Sequence, residues 1–96
     1  MAITLLTNET ATGSAAEVTG GQFLFRVESA GFNGATVQLQ IQGPSPSAAW
    51  IDVVDATFTA NGATRVFLPG GTQARAEISV ATPSSGVYSD LTHFGV

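Results

Sequence analysis

Two Asn-Gly pairs, Asn33-Gly34 and Asn61-Gly62, stand between runs of alternating apolar and polar residues. Asn-Gly tolerates positive φ at both centres of a tight turn, so each pair reads as a hairpin turn between antiparallel strands. The flanking runs agree. Residues 22–29 (QFLFRVES) put Phe23, Phe25 and Val27 on one face and Leu24, Arg26 and Glu28 on the other. Residues 35–42 (ATVQLQIQ) turn Val37, Leu39 and Ile41 inward and leave Gln38, Gln40 and Gln42 as an uncharged polar stripe facing out. That stripe is either solvated or a hydrogen-bonding contact surface. Residues 72–80 alternate again, with Ala74, Ala76, Ile78 and Val80 opposed to Arg75, Glu77 and Ser79.

The remaining segments fill in an all-β pattern. Residues 43–47 (GPSPS) form a loop, because neither proline can donate to a ladder. Residues 49–54 form a strand carrying Trp50, the single tryptophan, and 56–60 lead into Asn61-Gly62. Residues 64–68 return, Pro69-Gly70-Gly71 turns again, 82–86 are a loop, and 87–94 form the last strand. Residues 8–21 (NETATGSAAEVTGG) show neither a helical period nor firm alternation. The organisation expected is an extended N-terminal arm over residues 1–21 and a single β-sandwich domain over 22–96. Roughly seven or eight short strands, with turn signals about every 8–12 residues, specify a small antiparallel sandwich. Periodicity does not reveal strand order, so immunoglobulin-like and jelly-roll-like arrangements both stand. Asn-Gly-Ala-Thr occurs at 33–36 and again at 61–64. The similarity fades beyond each, which fits reuse of a turn better than duplication of a domain.

Composition limits what such a domain does. The 96 residues include no Cys and no Lys; Arg26, Arg65 and Arg75 are the only basic side chains besides His93. Disulfides are therefore closed to the chain, as are thiolate zinc sites, and oligomerisation remains as a source of extra stability. A net charge of -4 disfavours nucleic acid and anionic membrane surfaces as partners. Charged residues make up 10%, against a usual ~25%. The surface is then mostly Thr, Ser, Gln, Asn, Gly and Ala, which lose little hydration energy on docking. Residues 1–7 lack the basic start and long apolar run of a signal peptide, and no run approaches the ~20 apolar residues of a membrane helix. Synthesis and folding in a cytoplasm are expected.

No catalytic group, cofactor site or metal site is expected. His93 has no second His or Cys to share a metal. Asp52 and Asp55, three apart on a strand, fall on opposite faces and make a poor pair of glycosidase carboxylates. The acids are scattered without a calcium-loop spacing, and Gly70-Gly71 lacks the lysine and helix of a phosphate loop. The three arginines are expected to pair with Glu28, Glu77 or an acid of a neighbouring chain. Trp50, joined by Tyr88 or Phe94, is the best ligand-contact candidate, although a lone sandwich tryptophan more often anchors a core or an interface.

Part of the chain resembles a known class. Phe25, Gly31-Phe32-Asn33-Gly34-Ala35-Thr36-Val37, Leu39-Gln40, Trp50, Val53, Thr59-Ala60-Asn61-Gly62 and Arg75 follow a layout similar to that of small all-β virion proteins of tailed bacteriophages. The similarity covers roughly residues 22–80. It implies a non-enzymatic structural protein of the virion, a capsid decoration, cement or head-fibre component. The partners implied are the major capsid protein or other virion proteins, together with further copies in a dimer or trimer. The interface candidates are Ile3, Leu5, Leu6, Phe32, Trp50, Phe67, Tyr88 and Phe94, with the N-terminal arm lying along the shell. The competing class is a tail, neck or head-fibre appendage whose sandwich grips host glycans. It requires Trp50 or Tyr88 to be exposed beside Asp, Asn or Gln.

Overall fold

The computed structural model describes residues 2–47 and 49–93. Its elements are eight strands: β1 (Ala2–Glu9), β2 (Ala16–Glu17), β3 (Gly21–Ser29), β4 (Thr36–Gln42), β5 (Trp50–Phe58), β6 (Gly62–Leu68), β7 (Gln73–Ser79) and β8 (Val87–His93). They form two four-stranded sheets with orders β1-β8-β3-β6 and β2-β7-β4-β5, antiparallel throughout.

The pairings nest. β1 pairs with β8, β2 with β7, β3 with β6 and β4 with β5. The chain is thus one long hairpin whose apex is the proline loop between β4 and β5. That apex is closed by the Gly43 N–H donating to the Ala49 carbonyl at 2.7 Å. Rolling this ribbon adds the β3–β8 and β4–β7 pairings, which seal each sheet. This is the jelly-roll arrangement of eight strands, and the strand order sets the immunoglobulin-like alternative aside.

Each sheet turns alternate side chains inward. Phe23, Phe25 and Val27 of β3 are buried with Val66 and Leu68 of β6 and Val87 and Leu91 of β8. Val37 and Leu39 of β4 and Ala74 and Ala76 of β7 meet them from the other sheet. The fully buried alanines of β7 leave volume for the phenylalanines of β3 in the ~10 Å gap between sheets. The rings of Phe25 and Phe58 lie 5.8 Å apart.

Neither Asn-Gly pair joins neighbouring strands of a sheet. Among the described residues only β4 and β5 are consecutive strands that pair. Asn33-Gly34 lies on the β3-to-β4 crossover, and Asn61-Gly62 on the crossover from β5 to β6. The first pair does form the expected tight turn. Asn33 and Gly34 have φ of 50° and 80°, and the Ala35 N–H donates to the Phe32 carbonyl at 2.8 Å. At the second pair the φ of both residues is not positive. Gly62 is needed there for room, because a Cβ would lie 2.6 Å from the Phe58 ring. Both asparagines tie crossovers together. Asn33 Nδ2 donates to the Thr82 carbonyl at 3.1 Å, and Asn61 Oδ1 accepts from the Ser29 N–H at 2.8 Å.

The N-terminal segment is extended, but it is not an arm outside the domain. β1 and β2 are edge strands of the two sheets, and Leu5, Leu6 and Val18 belong to the core. Register shifts in the β1–β8 ladder, between Thr4 and Leu6 and between Leu6 and Glu9, break the alternation and let adjacent Leu5 and Leu6 both point inward. Fully burying three such side chains is worth roughly 5–9 kcal/mol, comparable with the ~5–15 kcal/mol net stability of a whole domain. A chain shortened to residues 21–96 is therefore expected to lose its cooperative thermal transition. A truncated chain that melts like the full one would restore the arm.

Candidate functional site

The two outer faces of the sandwich differ in how their polar groups are used. On the β2-β7-β4-β5 sheet, Gln38 and Gln40 do point outward, yet they are only 8% and 6% exposed. Gln40 Nε2 donates to Asp52 Oδ1 at 2.8 Å and to Glu77 Oε1 at 3.3 Å, while its oxygen accepts from Arg75 Nε at 2.8 Å. Arg75 in turn lies over the Trp50 ring, 4.4 Å from its centroid. Trp50 is therefore half-buried beneath a cation. Two of the three stripe residues, Gln38 and Gln40, are thus neither solvated nor free for contact, while Gln42 at the end of β4 is part-exposed.

Gln38 has a structural task. The ladder between β4 and β5 shifts register between Gln38 and Gln40, where β5 bulges, and Asp55 within that bulge adopts φ 64°. Gln38 Nε2 fills the gap by donating to the carbonyls of Leu39 at 2.7 Å and Val53 at 2.9 Å, and its oxygen accepts from the Thr57 hydroxyl. An unpaired buried carbonyl costs about 1–3 kcal/mol. Gln38→Leu keeps the bulk and removes both donors. It is expected to lower the stability by that amount and the melting temperature by roughly 4–8 °C per kcal/mol. A melting curve that does not move would show the bulge to be held by other contacts.

The outer face of the β1-β8-β3-β6 sheet is open. A depression of about 550 Å³ crosses all four strands, with Thr4 and Thr7 from β1, Tyr88 and Asp90 from β8, Arg26 and Glu28 from β3, and Ala63 from β6. Asn61, just before β6, also lines it. Arg26 and Asp90 stand directly opposite each other in the ladder and make a two-pronged ion pair, Nε to Oδ1 at 2.8 Å and Nη2 to Oδ2. The hydrogen bonds and charge of Asp90 raise the Arg26 pKa above its ordinary value, so the guanidinium stays charged throughout the neutral range. Arg26 thus pairs with Asp90 rather than Glu28, and Arg75 engages Gln40 and Trp50 rather than an acid. Tyr88 is 49% exposed and sits opposite Glu28.

The sheet edges form a third feature. β2 is two residues long, and the ladders of β1 and β5 are broken by register shifts. β6 instead pairs with β3 over seven residues without interruption, and among the described residues no strand lies on its far side. It carries Arg65 as its single charge and projects Phe67, which is 75% exposed. Val54 on β5, at 83%, also stands in solvent, as does Val80 in the β7–β8 connection, at 85%. Val80 has φ 74°, in a tight turn closed by the Ala81 N–H and the Ser79 carbonyl at 2.9 Å. A β-branched residue rarely adopts that conformation.

The interface candidates are not brought together. Leu5 and Leu6 are core residues at 5% and 2% exposure, which removes them from any interface; Ile3 and Phe32 are half-buried against the same core. Phe67 and Tyr88 share an outer face but lie at opposite ends of β3, paired with Gln22 and Glu28. Phe94 lies outside the described residues. His93 is half-buried, its ring stacked 4.5 Å from that of Phe23. Among the described residues no group of three or more His, Cys, Asp or Glu is placed to hold a metal. The depression itself was not apparent from sequence, since Thr4, Arg26, Asn61 and Asp90 converge only through the β1–β8–β3–β6 strand order. Comparison with family models, curated proteins and solved structures finds no match.

Proposed function

We propose that this chain is a non-enzymatic structural protein of a tailed-phage virion, a decoration or cement subunit that binds the assembled shell and further copies of itself. The observation that carries this reading is the β6 edge. A seven-residue edge strand with an uninterrupted register, a protruding phenylalanine and no lysine is a template for a neighbouring chain. Proteins that stay single guard such edges with lysine, proline, bulges or short strands. The other three edges here are short or irregular, so the exposed regularity is confined to one. The low charge content supports the same reading, because a neutral hydroxyl and amide surface is shed of water at little expense.

A protein that binds only the assembled shell stabilises it by mass action, by about 2.7 kcal/mol at a free concentration a hundredfold above its Kd. Particles stripped of the protein are expected to rebind it saturably and to withstand higher temperature once refilled. Phe67→Lys places a charge on the edge while leaving the core untouched. It is expected to weaken rebinding and self-association at least tenfold, with stability unchanged within about 0.5 kcal/mol. Rebinding unaffected by Phe67→Lys would remove the β6 edge from the proposal, and no rebinding by the parent protein would remove the cement role.

A further inference from the structure

We propose that the depression across the β1-β8-β3-β6 face is a binding site for a neutral oligosaccharide. Its shape and chemistry lead there independently of any role in a virion. At about 550 Å³ it falls within the usual size of ligand sites. Its lining comes from all four strands, so it suits a chain lying across them better than a compact ligand on one strand.

The lining decides the ligand class by elimination. Arg26 is its one cation, and both prongs of its guanidinium already bind Asp90. A phosphate or carboxylate ligand would have to displace that carboxylate and would also meet Glu28. An apolar ligand would strip water from Thr4, Thr7, Asn61, Glu28 and Asp90 without returning hydrogen bonds, which costs about 1–3 kcal/mol per unpaired group. A sugar answers both objections. Its hydroxyls donate to Glu28, Asp90 and the Asn61 carbonyl, and accept from Thr4, Thr7 and the Asn61 amide. Its C–H face covers the half-exposed ring of Tyr88.

The site is also built in advance. Its polar groups stand on paired strands, and the Arg26–Asp90 fork holds two of them in place before a ligand arrives, so little ordering remains to be done on binding. On the opposite face Gln38 is spent on the Leu39 and Val53 carbonyls, Gln40 and Arg75 on each other, and Arg75 also on Trp50.

The test is a titration of the full chain with neutral tri- to pentasaccharides of glucose, galactose, mannose and N-acetylglucosamine, followed by amide chemical shifts. For a Kd near ~1 mM, an ordinary affinity for a shallow site, additions to about 10 mM saturate it. At least one saccharide is expected to shift Thr4, Arg26, Glu28, Tyr88 and Asp90 together and to leave the Trp50 and Arg75 signals in place. Tyr88→Ala removes the stacking surface from a half-exposed position, and is expected to weaken binding at least tenfold. Arg26→Lys keeps the charge but loses the fork, and is expected to weaken it several-fold with the fold intact. No shift from any saccharide, shifts centred on Trp50, or undiminished binding by Tyr88→Ala would each overturn the assignment.

Discussion

Everything in this domain depends on pairing between residues far apart in sequence. The first strand lies beside the last, the second beside the seventh, and only at the apex do neighbours in sequence meet. Apart from the β4–β5 pair, strands gain their partners only after long stretches of chain, and the closure entropy of these long loops must be offset by burial of the common core. Folding is consequently expected to belong to the slow, β-rich class. The register of each ladder is held by the core itself, since a one-residue slip would turn Phe23, Phe25 and Val27 out to water.

The same wrapping explains where function is able to reside. Rolling a ribbon into two sheets produces two outer faces and four edges. On one face, long polar side chains pair with one another around Gln40, and a cation covers the only tryptophan. On that face Gln38, Gln40 and Arg75 are engaged with neighbouring groups of the same sheet. The other face keeps a depression with acceptors, donors and an aromatic ring in reach of solvent. Of the edges, β6 alone combines length, regularity and an apolar projection. The proposed docking edge and the proposed ligand site thus lie on different parts of one sheet, its edge and its face.

Much of this was legible in the sequence, for an identifiable reason. β3, β4 and β7 each obey a period of two and lie in the middle of a sheet, where one side is core and the pattern is enforced. The N-terminal strands were not legible because bulges break the period; Leu5 and Leu6 are both buried, which a regular strand forbids. The first Asn-Gly pair announced its tight turn correctly but not its destination, and the second marks a bend entering β6 rather than a positive-φ turn. A tight turn has the same local chemistry whether it returns to its own sheet or carries the chain to the opposite one. The burial of Gln38 and Gln40 was equally hidden, since it depends on Arg75, Glu77 and Asp52 arriving from two other strands. Tyr88 and Phe67 could be marked as candidates, but their separation on the face follows from strand order alone.

The central claim is that this jelly roll is a building block of a particle. Its most direct test is the copy number in purified particles from the source, measured by quantitative mass spectrometry against the major shell protein. The account predicts a ratio near stoichiometric with the shell lattice. A complete absence from particles would contradict it.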